Sequence, residues 1–159
     1  MALDTAATTA GIAALAVPQY GNASVDITIL DIDELDPHIE QRDLPVFFPA
    51  PGEWKGGAAG SPSTETTFGT PSTRFWLVHQ TFKYVFIQAI VGEGRDINDY
   101  YLPASKNADA LWTALAALNV SGVDVENINI SPIGIVNDPV GTEFVGTIFE
   151  IAVKEKINP

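Results

Sequence analysis

The chain has no cysteine, two histidines, and only eight lysines and arginines against twenty aspartates and glutamates in 159 residues. Without cysteine there is no disulfide framework, no thiolate zinc site and no cysteine nucleophile. The two histidines, His38 and His79, stand in unrelated contexts and form no His-Glu-x-x-His pair. No serine lies in a Gly-x-Ser-x-Gly turn, since Ser61 has Ala59 where the first glycine would be. The glycine-rich stretch from Gly52 to Gly60 contains Lys55 but lacks the Gly-Lys-Ser/Thr ending of a phosphate-cradling loop. A net charge of −12 with scattered basic residues argues against direct nucleic-acid or anionic-membrane binding, which relies on clustered lysine and arginine. These absences lead to an expectation of no enzymatic turnover, no cofactor and no bound metal.

What is present is an ordinary globular composition, 46% hydrophobic and 18% charged, in a length that implies one domain over residues 1–159. The alanine-rich start carries Asp4 where a signal peptide would carry lysine or arginine, and it is too short to span a bilayer. It reads as a short helix capped near Asp4 that packs Ile12, Leu15 and Ala16.

The clearest local pattern lies at the C-terminal end. There Val145, Thr147, Phe149, Ile151, Val153 and Ile157 fall on one face of a period-two run, with Gly146, Glu150, Lys154 and Lys156 on the other, the mark of a half-buried strand. A preceding run from Val123 leads into the turn Asn137-Asp-Pro-Val-Gly141. From Arg74 to Val91 the chain is rich in aromatics. Trp76, Val78, Phe82, Tyr84, Phe86 and Ile90 share one parity, and the other parity becomes apolar from Val85 onward, as in a strand buried first on one face and then on both. Ser24 to Leu30 reads as a further strand. A helix capped by Ser105 or Asn107 is predicted from Ala108, Leu111, Trp112, Leu115 and Leu118 at helical spacing. Pro45, Pro49 and Pro51 make residues 43–51 extended and stiff. The glycine, serine and threonine that follow give a long flexible loop, about residues 50–72. This order implies an α+β fold, α/β-mixed in content, with a largely antiparallel sheet and helices packed on one face.

The acidic run Asp31, Asp33, Glu34 and Asp36 lies in a non-helical stretch ending at Pro37. Continued as a strand, it would place Asp31 and Asp33 on one side. It lacks the central glycine and terminal glutamate of a calcium loop, so a solvated acidic loop is the expectation.

Taken together, Asp43-Leu-Pro45, the Phe48-Pro-Ala-Pro-Gly52 that opens the variable loop, the aromatic strand, the helix with Trp112 and the closing Gly141-Thr-Glu-Phe-Val-Gly146 with Phe149, Ile151, Val153 and Glu155 resemble the tail terminator proteins of long-tailed bacteriophages. The resemblance covers roughly residues 40 to 157. It implies a structural virion protein at the head-tail junction, made in the host cytoplasm. This protein would form a homo-oligomeric ring, commonly a hexamer, that stops growth of the tail tube and presents a surface to the head connector or stopper. Its partners would be the tail tube protein and that connector, with DNA passing through unbound and no membrane involved. On this reading Phe48, Pro49, Pro51, Trp54, Lys55 and Phe68 form the subunit interface, with Trp54 as its anchor. Asp31, Asp33, Glu34 and Asp36 would line the lumen or a rim, where negative charge repels DNA. Another head-tail component, such as a stopper or neck protein, is the alternative within the same class. From a different class, a metal-dependent carbohydrate-binding or hydrolytic module would use the acidic run with Trp54 or Trp76.

Overall fold

The computed structural model describes residues 5–34, 44–50, 63–66, 76–92 and 97–157. Its centre is a pair of fifteen-residue antiparallel strands, β6 (Trp76–Ile90) and β9 (Glu143–Ile157), paired from Trp76↔Ile157 to Ile90↔Phe144. Each is flanked by two shorter strands that divide its length. On the outer side of β6, β5 (Ser63–Thr66) pairs with residues 76–79 and β4 (Val46–Pro49) with residues 84–87. Outside β9, β7 (Val123–Ile130) pairs with residues 149–155 and β8 (Gly134–Asn137) with residues 143–146. β3 (Thr28–Ile29) adds to β4 in parallel and completes a seven-stranded, mostly antiparallel sheet. β1 (Pro18–Gln19) and β2 (Asn22–Asp26) form a separate small hairpin.

Two helices cover one face of the sheet, α1 (Thr5–Ala13) and α2 (Ile97–Ala116). Beneath them Ile12, Ala104, Ala108, Leu111 and Leu115 meet Phe47, Phe82, Tyr84, Phe86, Val145, Phe149, Ile151 and Val153 in the main core. Phe47 stacks on Tyr84 with centroids 4.8 Å apart and receives the edge of Phe149 at 5.0 Å, both favoured aromatic geometries. The fold is therefore α+β, and the parity expected for β9 holds: Val145, Thr147, Phe149, Ile151 and Val153 are all buried on the helix side. A smaller core of Val46, Phe48, Val85, Ile87, Val136 and Phe144 occupies the opposite face. Among the described residues no helix is long and apolar enough to cross a membrane.

Several elements differ from expectation. The parity of β6 reverses at a bulge between Ile87 and Ala89, so Ile90 leaves the helix side and joins the second core beside Phe144, the usual consequence of one extra residue in a strand. Residues 63–66, placed in the flexible loop, form β5, because the free edge of β6 supplies backbone partners for a Ser-Thr-Glu-Thr segment. The stretch from Ser24 to Leu30 is not one strand but two, interrupted at the buried Ile27, whose N–H donates to Val17 O at 2.8 Å.

Helix α2 begins eight residues before Ser105 and runs through Pro103. Asn107 is consequently no cap but a buried bridge. Its Oδ1 accepts from Tyr20 N and its Nδ2 donates to Gln88 Oε1, both at 2.8 Å. Trp112, expected in the core, is 46% exposed, because it lies on the flank of the buried stripe through Ala104, Ala108, Leu111 and Leu115. Ala16 is exposed as well, since α1 ends at Ala13. Asp4 lies outside the described residues.

Candidate functional site: the acidic turn and the open sheet face

The acidic run leaves the sheet where β3 ends. Thr28 and Ile29 pair with Val46 and Phe47, and Leu30 N donates to Phe47 O at 3.0 Å, which holds the chain against β4 up to Asp31. There the strand does not continue. One turn of 3-10 helix, Ile32–Glu34, follows, so Asp31 and Asp33 do not share the side of a strand and the stretch is not wholly non-helical. Local hydrogen bonds explain the turn. Asp31 Oδ1 accepts from Ile32 N at 2.6 Å, Glu34 Oε1 accepts from Asp31 N at 3.2 Å, and Glu34 N donates to Asp31 O at 3.1 Å. The Glu34 carboxylate thus reaches back to the Asp31 N–H as the glutamate of a capping box does, while the Asp31 carboxylate takes the neighbouring Ile32 N–H. That Asp-x-x-Glu spacing was the available signal in the sequence.

The turn presents Asp33 and Glu34 to solvent with Ile32, while Asp31 is half-buried. Asp36 lies outside the described residues. Beneath the turn, Tyr84 is fully buried and, among the described residues, its hydroxyl has no hydrogen-bond partner. Burial first, and the Asp31 carboxylate second, raise its pKa above the ordinary tyrosine value, so the phenol stays neutral. The turn therefore presents an exposed pair of negative charges, Asp33 and Glu34, on a hydrogen-bonded backbone. Among the described residues no group of three or more histidines, aspartates and glutamates is placed to hold a metal ion.

Phe48 and Pro49, expected at a subunit interface, sit in β4 opposite Val85 and Tyr84 and are buried within the chain. Phe48 is 1% exposed, packed in the second core, so neither side chain is available on the surface of the lone subunit. Strand pairing of the proline-rich segment with β6 turned them inward. Pro51, Trp54, Lys55 and Phe68 lie outside the described residues.

Beyond the second core, the face of the sheet turned away from the helices is polar. His79 of β6, Lys154 of β9 and Asp124 of β7 stand opposite one another in sequence across three strands, as do Lys83, Glu150 and Asn129. His79 Nδ1 lies 3.0 Å from Glu126 Oε2, and Lys83 Nζ lies 3.8 Å from Glu150 Oε1. Partly exposed pairs of this kind contribute about 0–1 kcal/mol each. In each, a basic side chain of β6 meets a glutamate of β7 or β9. The His79–Glu126 contact depends on the bulge that displaces Glu126 from β7, and periodicity alone does not reveal it. Comparison with known proteins finds no family model and no curated protein that matches this chain.

Proposed function

We propose that the chain is a structural subunit of a ring at the head-tail junction of a long-tailed bacteriophage, terminating the tail tube and offering a docking surface to the head connector. The observation that carries this reading is the acidic turn. Asp33 and Glu34 are exposed, and the side-chain oxygens of Asp31 and Glu34 accept from the turn's own backbone. In a chain of net charge −12, an exposed carboxylate cluster suits a wall past which DNA must slide without adhering. The sequence resemblance and the mixed sheet with helices on one face are in keeping with it. Another head-tail component, such as a stopper or neck protein, shares this chemistry. A metal-dependent carbohydrate module is less well supported, because among the described residues no group of three or more histidines, aspartates and glutamates is placed to hold a metal ion.

The test is neutralisation. Asp31→Asn, Asp33→Asn and Glu34→Gln together keep amide oxygens for the turn while removing three charges. The assembled variant should retain duplex DNA at low salt where the native assembly does not. The difference should fade as the screening length falls from about 10 Å at 0.1 M salt to about 3 Å at 1 M. An assembled variant indifferent to DNA at every salt concentration would remove the turn from the channel wall.

A further inference from the structure

Strand β7 is an edge. One side pairs with β9, and among the described residues no strand pairs with the other side, where alternate residues turn their N–H and C=O groups outward; at the start of the strand Val123 N–H already donates to Val120 O at 3.0 Å. Such an edge is a template for another strand unless it is blunted. Its sequence, Val-Asp-Val-Glu-Asn-Ile-Asn-Ile, shows what it is built to receive. The bulge between Val125 and Asn127 reverses the parity at mid-strand, so Val123, Val125, Ile128 and Ile130 all face the helix side, opposite Glu155, Val153, Ile151 and Phe149 of β9. Asp124, Asn127 and Asn129 face the open side.

The pattern is now symmetric about the point between Glu126 and Asn127. Laid antiparallel on a second copy of itself about that point, the strand sets Val123 against Ile130 and Val125 against Ile128. It also sets Asp124 against Asn129 and Glu126 against Asn127. Apolar meets apolar, and every carboxylate meets a carboxamide in place of another carboxylate. In a chain with twelve excess negative charges this arrangement avoids the like-charge contacts that oppose pairing across strands.

The helix above adds to the same edge. Asn107 turns toward β6 through Gln88. At about 100° per residue, Tyr101 and Trp112 lie roughly 120–140° around α2 from Asn107, on the opposite flank of the buried stripe of a helix that packs on β7 as well as on β6 and β9. They are 53% and 46% exposed, a large apolar area to leave on that flank.

We infer that the outer edge of β7, with the Tyr101 and Trp112 flank of α2, is an interface for a second copy of this chain, joined by antiparallel β7–β7 pairing about a two-fold axis. Such an isologous contact closes after two copies. It rests on this edge alone and goes beyond the ring reading, which needs a different pair of surfaces.

Sedimentation of the full chain over a range of concentrations and salt tests it. Asn127 and Asn129 are exposed, so paired substitutions there leave the core untouched. Asn127→Asp with Asn129→Asp sets carboxylates against Glu126 and Asp124 of the second copy, four like-charge pairs in all, and should weaken the dimer about tenfold or more at low salt. The effect should recover at high salt. Asn127→Lys with Asn129→Lys should tighten it. Register is read separately in this cysteine-free chain: Asp124→Cys mixed with Asn129→Cys should give an intermolecular disulfide, whereas Asp124→Cys alone should not. A native chain that stays monomeric at all concentrations would overturn the inference. So would a dimer indifferent to both charge substitutions, or equal cross-linking by either cysteine variant alone.

Discussion

Replacement of Phe149 by alanine probes the centre of the fold. Phe149 is fully buried on β9 between Tyr84 of β6 and Ile130 of β7, with its ring edge-on to Phe47 at 5.0 Å. A phenylalanine ring buries roughly 150–250 Å², which at about 25 cal/mol per Å² amounts to roughly 4–6 kcal/mol before the retained Cβ is subtracted. The surrounding strands are held by continuous ladders and cannot collapse into the gap, so a loss of about 3–5 kcal/mol is expected. With a urea slope of about 2 kcal/mol per M, the unfolding midpoint should fall by about 2 M with little change in slope. Val140→Ala, at the 73% exposed tip of the Asp138 turn, should stay within about 0.5 kcal/mol and serves as the control. A Phe149→Ala loss below about 1 kcal/mol would mean that this face of β9 is not the core face, and the parity argument for the sheet would fail.

Tyr84→Phe should leave stability unchanged or raise it, since among the described residues the buried hydroxyl has no partner and its removal relieves an unsatisfied group. The native protein should also lose stability as pH rises through about 10, where the unfolded chain's tyrosines ionise. The folded phenol, with its raised pKa, stays protonated there. Phenolate absorbance against pH, with and without Tyr84→Phe, checks both statements, and a native chain with no Tyr84-dependent alkaline loss would contradict them. Gly146→Ala should be far more damaging than an ordinary strand substitution, because the added Cβ would fall 2.0 Å from the Phe86 carbonyl oxygen, a backbone atom fixed in the β6–β9 ladder. A cost of about 1–3 kcal/mol or more is expected from overpacking, and a melting temperature equal to the native value would show that the two central strands separate readily.

The sequence disclosed the parts of the fold governed by uninterrupted periodicity. β9 carries buried side chains, apolar except for Thr147, at every second position from Val145 to Val153 with no bulge in its own spacing, so its faces could be assigned directly. β6 could be assigned only as far as Ile87, because a bulge leaves no compositional mark, and the bulged Gln88 bonds Asn107, nineteen residues away. The start of α2 was obscured by Pro103, whose missing N–H the longer helix accommodates while its buried stripe packs on β6, β9 and β7. Ser63 to Thr66 has the composition of a loop and becomes a strand only through tertiary pairing, which local propensity does not encode. At the candidate site, the Asp31 and Glu34 spacing held the turn's signature, whereas the burial of Phe48 and Pro49 depended on which edge of β6 the proline-rich segment would join.

Electron microscopy of the purified full chain, imaged across protein concentrations, bears most directly on the proposed role. The account predicts closed rings with a central opening, against whose wall or rim the segment from Asp31 to Glu34 can be located by labelling. A preparation that yields only monomers or dimers at every concentration, with no ring, would contradict it.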